Sequence, residues 1–119
     1  MTDEWTIEYY AEESGYVPVR AFLRTLDEQT YARCLWSLQQ VKVLNVQARA
    51  PLVKHVEGKI WEIREESNTN IYRILYFFYT GKRIVLLHGF AKKTSKLPRR
   101  ELSIALKRLA HYMKRKAAE

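Results

Sequence analysis

Three runs of strand-forming residues follow one another between Ile60 and Phe90, with only short turns between them. Ile60-Trp61-Glu62-Ile63-Arg64, Tyr72-Arg73-Ile74-Leu75-Tyr76 and Val85-Leu86-Leu87-His88-Gly89-Phe90 are rich in β-branched, aromatic and aliphatic side chains. Ser67-Asn68-Thr69-Asn70 and Thr80-Gly81-Lys82 are turn sequences too short to hold a crossover helix. Strands over residues 59–65, 72–79 and 83–90 are therefore expected as consecutive antiparallel neighbours. Tyr76-Phe77-Phe78-Tyr79 shows no alternation, which predicts a central strand covered on both faces.

The flanking segments read as helices. Trp5-Thr6-Ile7-Glu8-Tyr9-Tyr10 alternates and predicts a first strand, and Ser14-Gly15 a turn. Pro18 suits the first turn of a helix with Val19, Phe22, Leu23 and Leu26 on one face. A second helix is expected to begin near Thr30 as N-cap, with Tyr31, Cys34, Leu35, Leu38, Val41 and Leu44 on its apolar side. The two form a helical hairpin. A last helix opens at Pro98, with Leu102, Ala105, Leu106, Leu109, Ala110 and Met113 as its apolar stripe. Its other face carries Arg99, Arg100, Lys107, Arg108, Lys114 and Arg115. Residues 1–119 thus predict one α+β domain of order β-α-α-β-β-β-α, with the hairpin and the C-terminal helix packed on an antiparallel sheet.

Charge is distributed unevenly. The chain carries a formal +8, yet residues 1–53 hold 5 basic and 7 acidic side chains and residues 54–119 hold 16 basic and 6 acidic. The basic second half points to an anionic partner, nucleic acid foremost. Cys34 is the single cysteine, so no internal disulfide can form, and its apolar neighbours predict a core thiol. The acidic start Met1-Thr2-Asp3-Glu4 is unlike a secretory signal, and no apolar run approaches membrane-spanning length. The cytoplasm is the expected compartment. Neither a His pair at i, i+4, nor a Cys pair, nor an acidic cluster accompanies the basic surface, and the four glycines form no phosphate loop. No metal or cofactor is expected.

Together these motifs resemble the RelE/ParE superfamily of type II toxins, and within it the phage-derived HigB-like branch. The Ile-Trp-Glu-Ile-Arg strand at 60–64, the Tyr-Arg-Ile-Leu-Tyr strand at 72–76 and Leu86-Leu87-His88-Gly89-Phe90-Ala91-Lys92-Lys93-Thr94 carry the resemblance. So does Pro98, which opens the final helix. The resemblance spans essentially the whole chain. It implies a metal-independent mRNA endonuclease acting on translating ribosomes, in complex with a cognate helix-turn-helix antitoxin. A gyrase inhibitor of the ParE type, and an inactive phage remnant that only binds RNA, are the alternatives. The tyrosine that some ribosome-dependent relatives use in proton transfer has no counterpart in Lys96-Leu97-Pro98-Arg99.

RNA supplies its own nucleophile, so cleavage needs in-line geometry, charge stabilisation on the phosphorane and proton transfer. Arg64, Arg73, Lys92 and Lys93 are the candidate catalytic cations, Arg73 aligning with a phosphate-contacting arginine of the superfamily. His88 is either a proton-transfer group or a hydrogen-bonded core histidine. Lys54, Lys96, Arg99, Arg100 and Lys107 are candidate RNA-binding residues, while His55 and His111 read as surface residues. If the turn sets Arg64 opposite Arg73, both point to one face and repel unless an anion sits between them. An RNA phosphate is the candidate anion; the alternative is that each arginine pairs with a carboxylate, for which Glu62, Glu65 and Glu66 are near enough in sequence.

Overall fold

A five-stranded sheet of order β1-β5-β4-β3-β2 forms the middle layer of the computed structural model, which describes residues 4–67, 69–94 and 96–119. Its strands are β1 (Thr6–Tyr9), β2 (Val53–Glu57), β3 (Ile60–Ser67), β4 (Asn70–Tyr79) and β5 (Arg83–Lys92). Helices α1 (Pro18–Arg24) and α2 (Glu28–Leu44) precede β2, and α3 (Arg99–Ala117) closes the chain. All neighbouring pairs are antiparallel except β1 with β5, which run parallel because the α1–α2 segment and three strands intervene. The α+β class is as expected.

Two cores lie on opposite faces of the sheet. On one face Val19 and Leu23 of α1 and Cys34, Leu38 and Val41 of α2 pack against Ile63, Ile74, Tyr76, Ile84 and Leu86. On the other, Leu102, Ala105 and Tyr112 of α3 pack against Ile60, Leu75, Phe77, Val85 and Leu87. Each fully buried aliphatic side chain contributes about 1.5–3 kcal/mol. Strand β4 sits at the centre with apolar side chains directed into both cores, which accounts for its unbroken aromatic run.

Several details depart from the sequence reading. Strand β2 carries no such signal: of Val53-Lys54-His55-Val56-Glu57 only two residues are apolar, as suits an edge strand. Asp27, rather than Thr30, caps α2, accepting the Thr30 N–H at 2.8 Å and its hydroxyl at 3.0 Å. Tyr31, Leu35 and Leu44 face solvent, and Thr30 and Ser37 take buried places. On α3, Ala110 is exposed and Tyr112 is buried, its hydroxyl donating to Glu8 at 2.9 Å. His55 is exposed, whereas His111 is half-buried between Tyr10 and Glu13. Ser67 and Asn70 pair with each other within the strands instead of forming the turn. Residues 1–3, Asn68 and Ser95, on which parts of the N-terminal, turn and loop readings fall, lie outside the described residues.

A bulge in β5 decides which face the functional residues share. Tyr76 pairs with Leu86 but Leu75 pairs with His88, so Leu87 is an extra residue. The inserted residue reverses the alternation: Leu86 points to the hairpin core, while His88 and Phe90 lie on the α3 side. Sequence alternation alone puts Leu86 and His88 on one face; the bulge separates them. The next residue, Gly89, lies against α1, where a Cβ would collide with the Phe22 ring.

Candidate nucleic-acid interface

Register lines up three cross-strand rows on the α3 side of the sheet. Lys54, Glu62, Leu75 and His88 form the first, across β2, β3, β4 and β5. Arg64, Arg73 and Phe90 form the second, and Glu66, Ile71 and Lys92 the third. Directly opposed residues share a face, and Leu75 and Phe90 fix that face as the one packed by α3. Lys54, Arg64, Arg73, His88 and Lys92, scattered over 39 positions of sequence, therefore come together on one face of the sheet.

The anion between the opposed arginines is Glu62. Its side chain is 2% exposed, and its two oxygens are divided between them. Arg64 donates from Nε to Oε2 at 3.2 Å, its Nη2 lies 3.2 Å from the same oxygen, and Arg73 Nε lies 3.3 Å from Oε1. Arg64 keeps 27% of its side chain exposed, whereas Arg73 is 0% exposed. Arg73 is thus built into the protein rather than presented on its surface. Its guanidinium lies 5.8 Å from the centre of the Phe90 ring and its Nη2 donates to the Thr94 carbonyl at 3.0 Å. Burial lowers its pKa from the usual arginine range, Glu62 opposes that shift and Arg64 adds to it. By holding Thr94, Arg73 ties down the segment that carries Lys92 and Lys93.

His88 occupies the other end of the first row. Arg108 Nη1 donates to His88 Nδ1 at 3.1 Å and to the Leu87 carbonyl at 2.9 Å. Because a guanidinium only donates, Nδ1 is the acceptor and the ring proton sits on Nε2, directed at Glu101 Oε1 at 2.6 Å. Burial lowers the His88 pKa below its ordinary value; the Glu101 hydrogen bond opposes this and the Arg108 charge reinforces it. Both ring nitrogens are engaged within the protein. Phe90 stacks on the imidazole, with ring centres 5.5 Å apart and an interplanar angle of 23°. The core reading of His88 describes this arrangement.

The remaining cations are peripheral. Lys92 is exposed at the end of β5, and Lys93, just past the strand, lines a shallow depression with Glu66, Thr69, Asn70 and Ile71. Lys96 is exposed in the loop before α3. Arg99 and Arg100 are exposed in the first turn of α3, Arg99 bonded to Glu57 at 3.1 Å. Lys107 is exposed on α3, one residue before the inward Arg108, and does not join the rows. Glu101 and Arg108 were not singled out by sequence, since nothing in a helix pattern marks a salt-bridge partner for a histidine in a distant strand. Glu62 was legible only as a nearby carboxylate: it alternates with Trp61 and Ile63 to the opposite face, where sequence alone reads it as exposed. Among the described residues no group of three His, Cys, Asp or Glu side chains is placed to hold a metal ion, and no helix is long and apolar enough to cross a membrane.

A five-stranded sheet, a helical pair on one face and a C-terminal helix on the other, with cationic rows sharing that helix's face, give this protein a RelE-like α+β architecture. The chain belongs to the family described as Phage derived protein Gp49-like (DUF891), whose model matches residues 21–110, from within α1 to within α3. That family is part of the RelE/HigB-like toxin group. No curated protein matches the chain.

Proposed function

We propose that this chain is the toxin of a type II toxin–antitoxin module and cleaves mRNA on the ribosome without a metal ion. The observation that carries this reading is the convergence of Lys54, Arg64 and Lys92 on one sheet face, in a chain of the Gp49-like family. Arg64 and Lys92 stabilise charge on the pentavalent phosphorus, and Lys54 engages a neighbouring phosphate. The 2′-hydroxyl of the substrate is the nucleophile, so the products end in 2′,3′-cyclic phosphate or 3′-phosphate. Arg73 positions rather than contacts: it fastens the loop that carries Lys92 and Lys93. The His88 imidazole, engaged at both nitrogens, supports the face through Glu101 and Arg108.

The face presents arginine and lysine, with Glu66 as an exposed carboxylate in the row of Lys92, and leaves alignment of the 2′-oxygen to the surroundings of the substrate, which the decoding centre supplies. Lys96, Arg99, Arg100 and Lys107 add salt-sensitive contacts to ribosomal RNA phosphates. The compartment is then the cytoplasm, and the partner is a helix-turn-helix antitoxin from the adjacent gene, bound as a hetero-oligomer that covers the basic face or blocks ribosome entry.

Primer extension on mRNA after a brief pulse of expression tests the reading. Cleavage within codons of translated messages, retained in excess chelator and absent on naked RNA, is expected. Growth arrest with intact mRNA rejects nuclease action and favours the second reading, a non-cleaving inhibitor such as a gyrase inhibitor. The burial of Arg73 and its ion pair with Glu62 favour that alternative, because they remove one cation from direct contact with RNA. If neither arrest nor cleavage follows, the chain is an inactive remnant. Continued arrest on co-expression with the neighbouring gene, with no complex isolated, rejects the toxin–antitoxin assignment.

A further inference from the structure

We propose that Glu62 is the positioning residue of this basic face, fixing Arg64 and Arg73 in place at the expense of RNA affinity. The proposal deepens the nuclease reading and rests on it for the identity of the substrate.

Glu62 is nearly fully buried at the meeting point of three cations from three strands. Arg64 and Arg73 hold its two oxygens, and Lys54 is its register partner in β2. A buried carboxylate is costly to desolvate, and replacing a buried ion pair with apolar residues is often neutral or stabilising. Stability alone gives little reason for an acid here. Affinity gives less, because an anion among these cations repels an incoming phosphate. What the carboxylate supplies is geometry.

Arg64 and Arg73 are directly opposed in neighbouring strands, where like charges push each other's side chains apart. With one oxygen for each, Glu62 removes that repulsion and gives each guanidinium a fixed direction. The Nε and Nη2 of Arg64 converge on the same oxygen, which fixes the orientation of the planar guanidinium. Arg73, pinned between Glu62, Phe90 and the Thr94 carbonyl, carries the same order to the loop bearing Lys92 and Lys93. Burial disfavours the Arg73 charge, and Glu62 offsets that cost. Transition-state stabilisation depends on donors fixed before the reaction begins, and a loose arginine binds phosphate well while orienting it poorly.

Binding and cleavage should therefore separate. Glu62→Gln keeps an acceptor at this position and removes the charge. It is expected to bind a single-stranded RNA dodecamer more tightly at low salt. The slope of log affinity against log salt should steepen by roughly 0.7, the value for one added phosphate contact. Single-turnover cleavage of ribosome-bound mRNA should fall at least about tenfold. The Nε–H resonance of Arg64, expected apart from those of the mobile arginines in the wild type, should move toward them, while that of buried Arg73 should shift without merging. An unchanged salt slope, cleavage at the wild-type rate, or binding and cleavage falling together overturns the proposal; the last is the signature of a merely structural residue.

Glu62→Asp covers the case in which the glutamine variant does not fold. It keeps the charge and draws the carboxylate back by one methylene, so binding and salt slope should match the wild type while cleavage slows. Wild-type cleavage by Glu62→Asp also overturns the proposal. If the wild type itself cleaves no RNA, the nuclease reading fails. The arginine resonances and the salt slope then decide the role of Glu62 by themselves.

Discussion

The two faces of the sheet solve burial in opposite ways. Beneath α1 and α2 the core is largely apolar, its buried Thr30 and Ser37 bonded to Ser67 and Glu65, and the surplus apolar surface is turned outward. Of the large hydrophobic side chains exposed among the described residues, Tyr31, Leu35, Trp36, Val43, Leu44 and Val46 all lie on α2 or the 3₁₀ turn at Asn45–Gln47 that follows it. Beneath α3 the core is apolar only where the helix reaches it. The same face is also lined by Glu62, Arg64, Arg73 and His88, partly or wholly buried, the first three joined by ion pairs and His88 hydrogen-bonded to Glu101 and Arg108 of α3. A helix can be placed on a sheet by shape alone. Charges held in place have to be paired first, and that need fixes the register of the strands beneath them.

Removing Arg73 tests this contrast most severely. Arg73→Ala leaves Glu62 buried without one of its partners and releases the Thr94 carbonyl, so stability to denaturant should fall by about 3–5 kcal/mol. Chemical denaturation measures it, and a loss below about 1 kcal/mol would show that the ion network is not what supports this face.

Replacing both Lys92 and Lys93 by alanine should do the reverse. Both side chains are exposed, so stability should stay within about 0.5 kcal/mol. Cleavage should drop by about 100- to 1,000-fold, the effect of losing a transition-state donor. A fully active double variant removes the strand end from the site.

On the hairpin face the tight point is steric. Gly89→Ala puts a methyl group against the Phe22 ring and should cost about 1–3 kcal/mol, seen as a lower Tm. An unchanged Tm would mean that α1 is free to shift.

The His88 pKa is depressed on folding, so the unfolded chain binds the extra proton first as pH falls. Its contribution to stability is complete above the unfolded value near 6.5 and is lost as pH drops toward the folded value. Between about pH 7.5 and about pH 5.5 the wild type should lose more Tm than His88→Gln. Equal losses would show that burial does not hold the imidazole neutral.

The smallest effect is expected from Trp36→Ser. At 61% exposure the indole contributes little to folding, so stability should change by less than about 0.5 kcal/mol and cleavage not at all. A large loss of cleavage would move part of the RNA contact to the hairpin side.

The strands from Ile60 onward, the three helices and the α+β class were legible because each leaves a periodic trace. Val19 and Leu23, or Leu102 and Ala105, recur at helical spacing, and turn residues stand between the strands. Strand β2 left none, since an edge strand with one face toward water needs few apolar residues. The candidate cations were legible as types. Arg64, Arg73, Lys92 and Lys93 stand out as basic residues within or beside apolar strands. That Arg64 and Arg73 share a face followed from parity and a short turn.

Tertiary structure alone decided what those groups touch. Whether an arginine meets solvent or Glu62, and whether His88 has a free nitrogen or is engaged by Glu101 and Arg108, depends on partners 2 to 20 positions away. The Leu87 bulge, which carries His88 over to the α3 side, is a register event between two strands and leaves no mark in either. The sequence by itself determined the elements and the charge on them, because both are local properties of the chain. Only packing determined which charges are buried against one another, because desolvation is set by everything that surrounds a group and not by its neighbours in sequence.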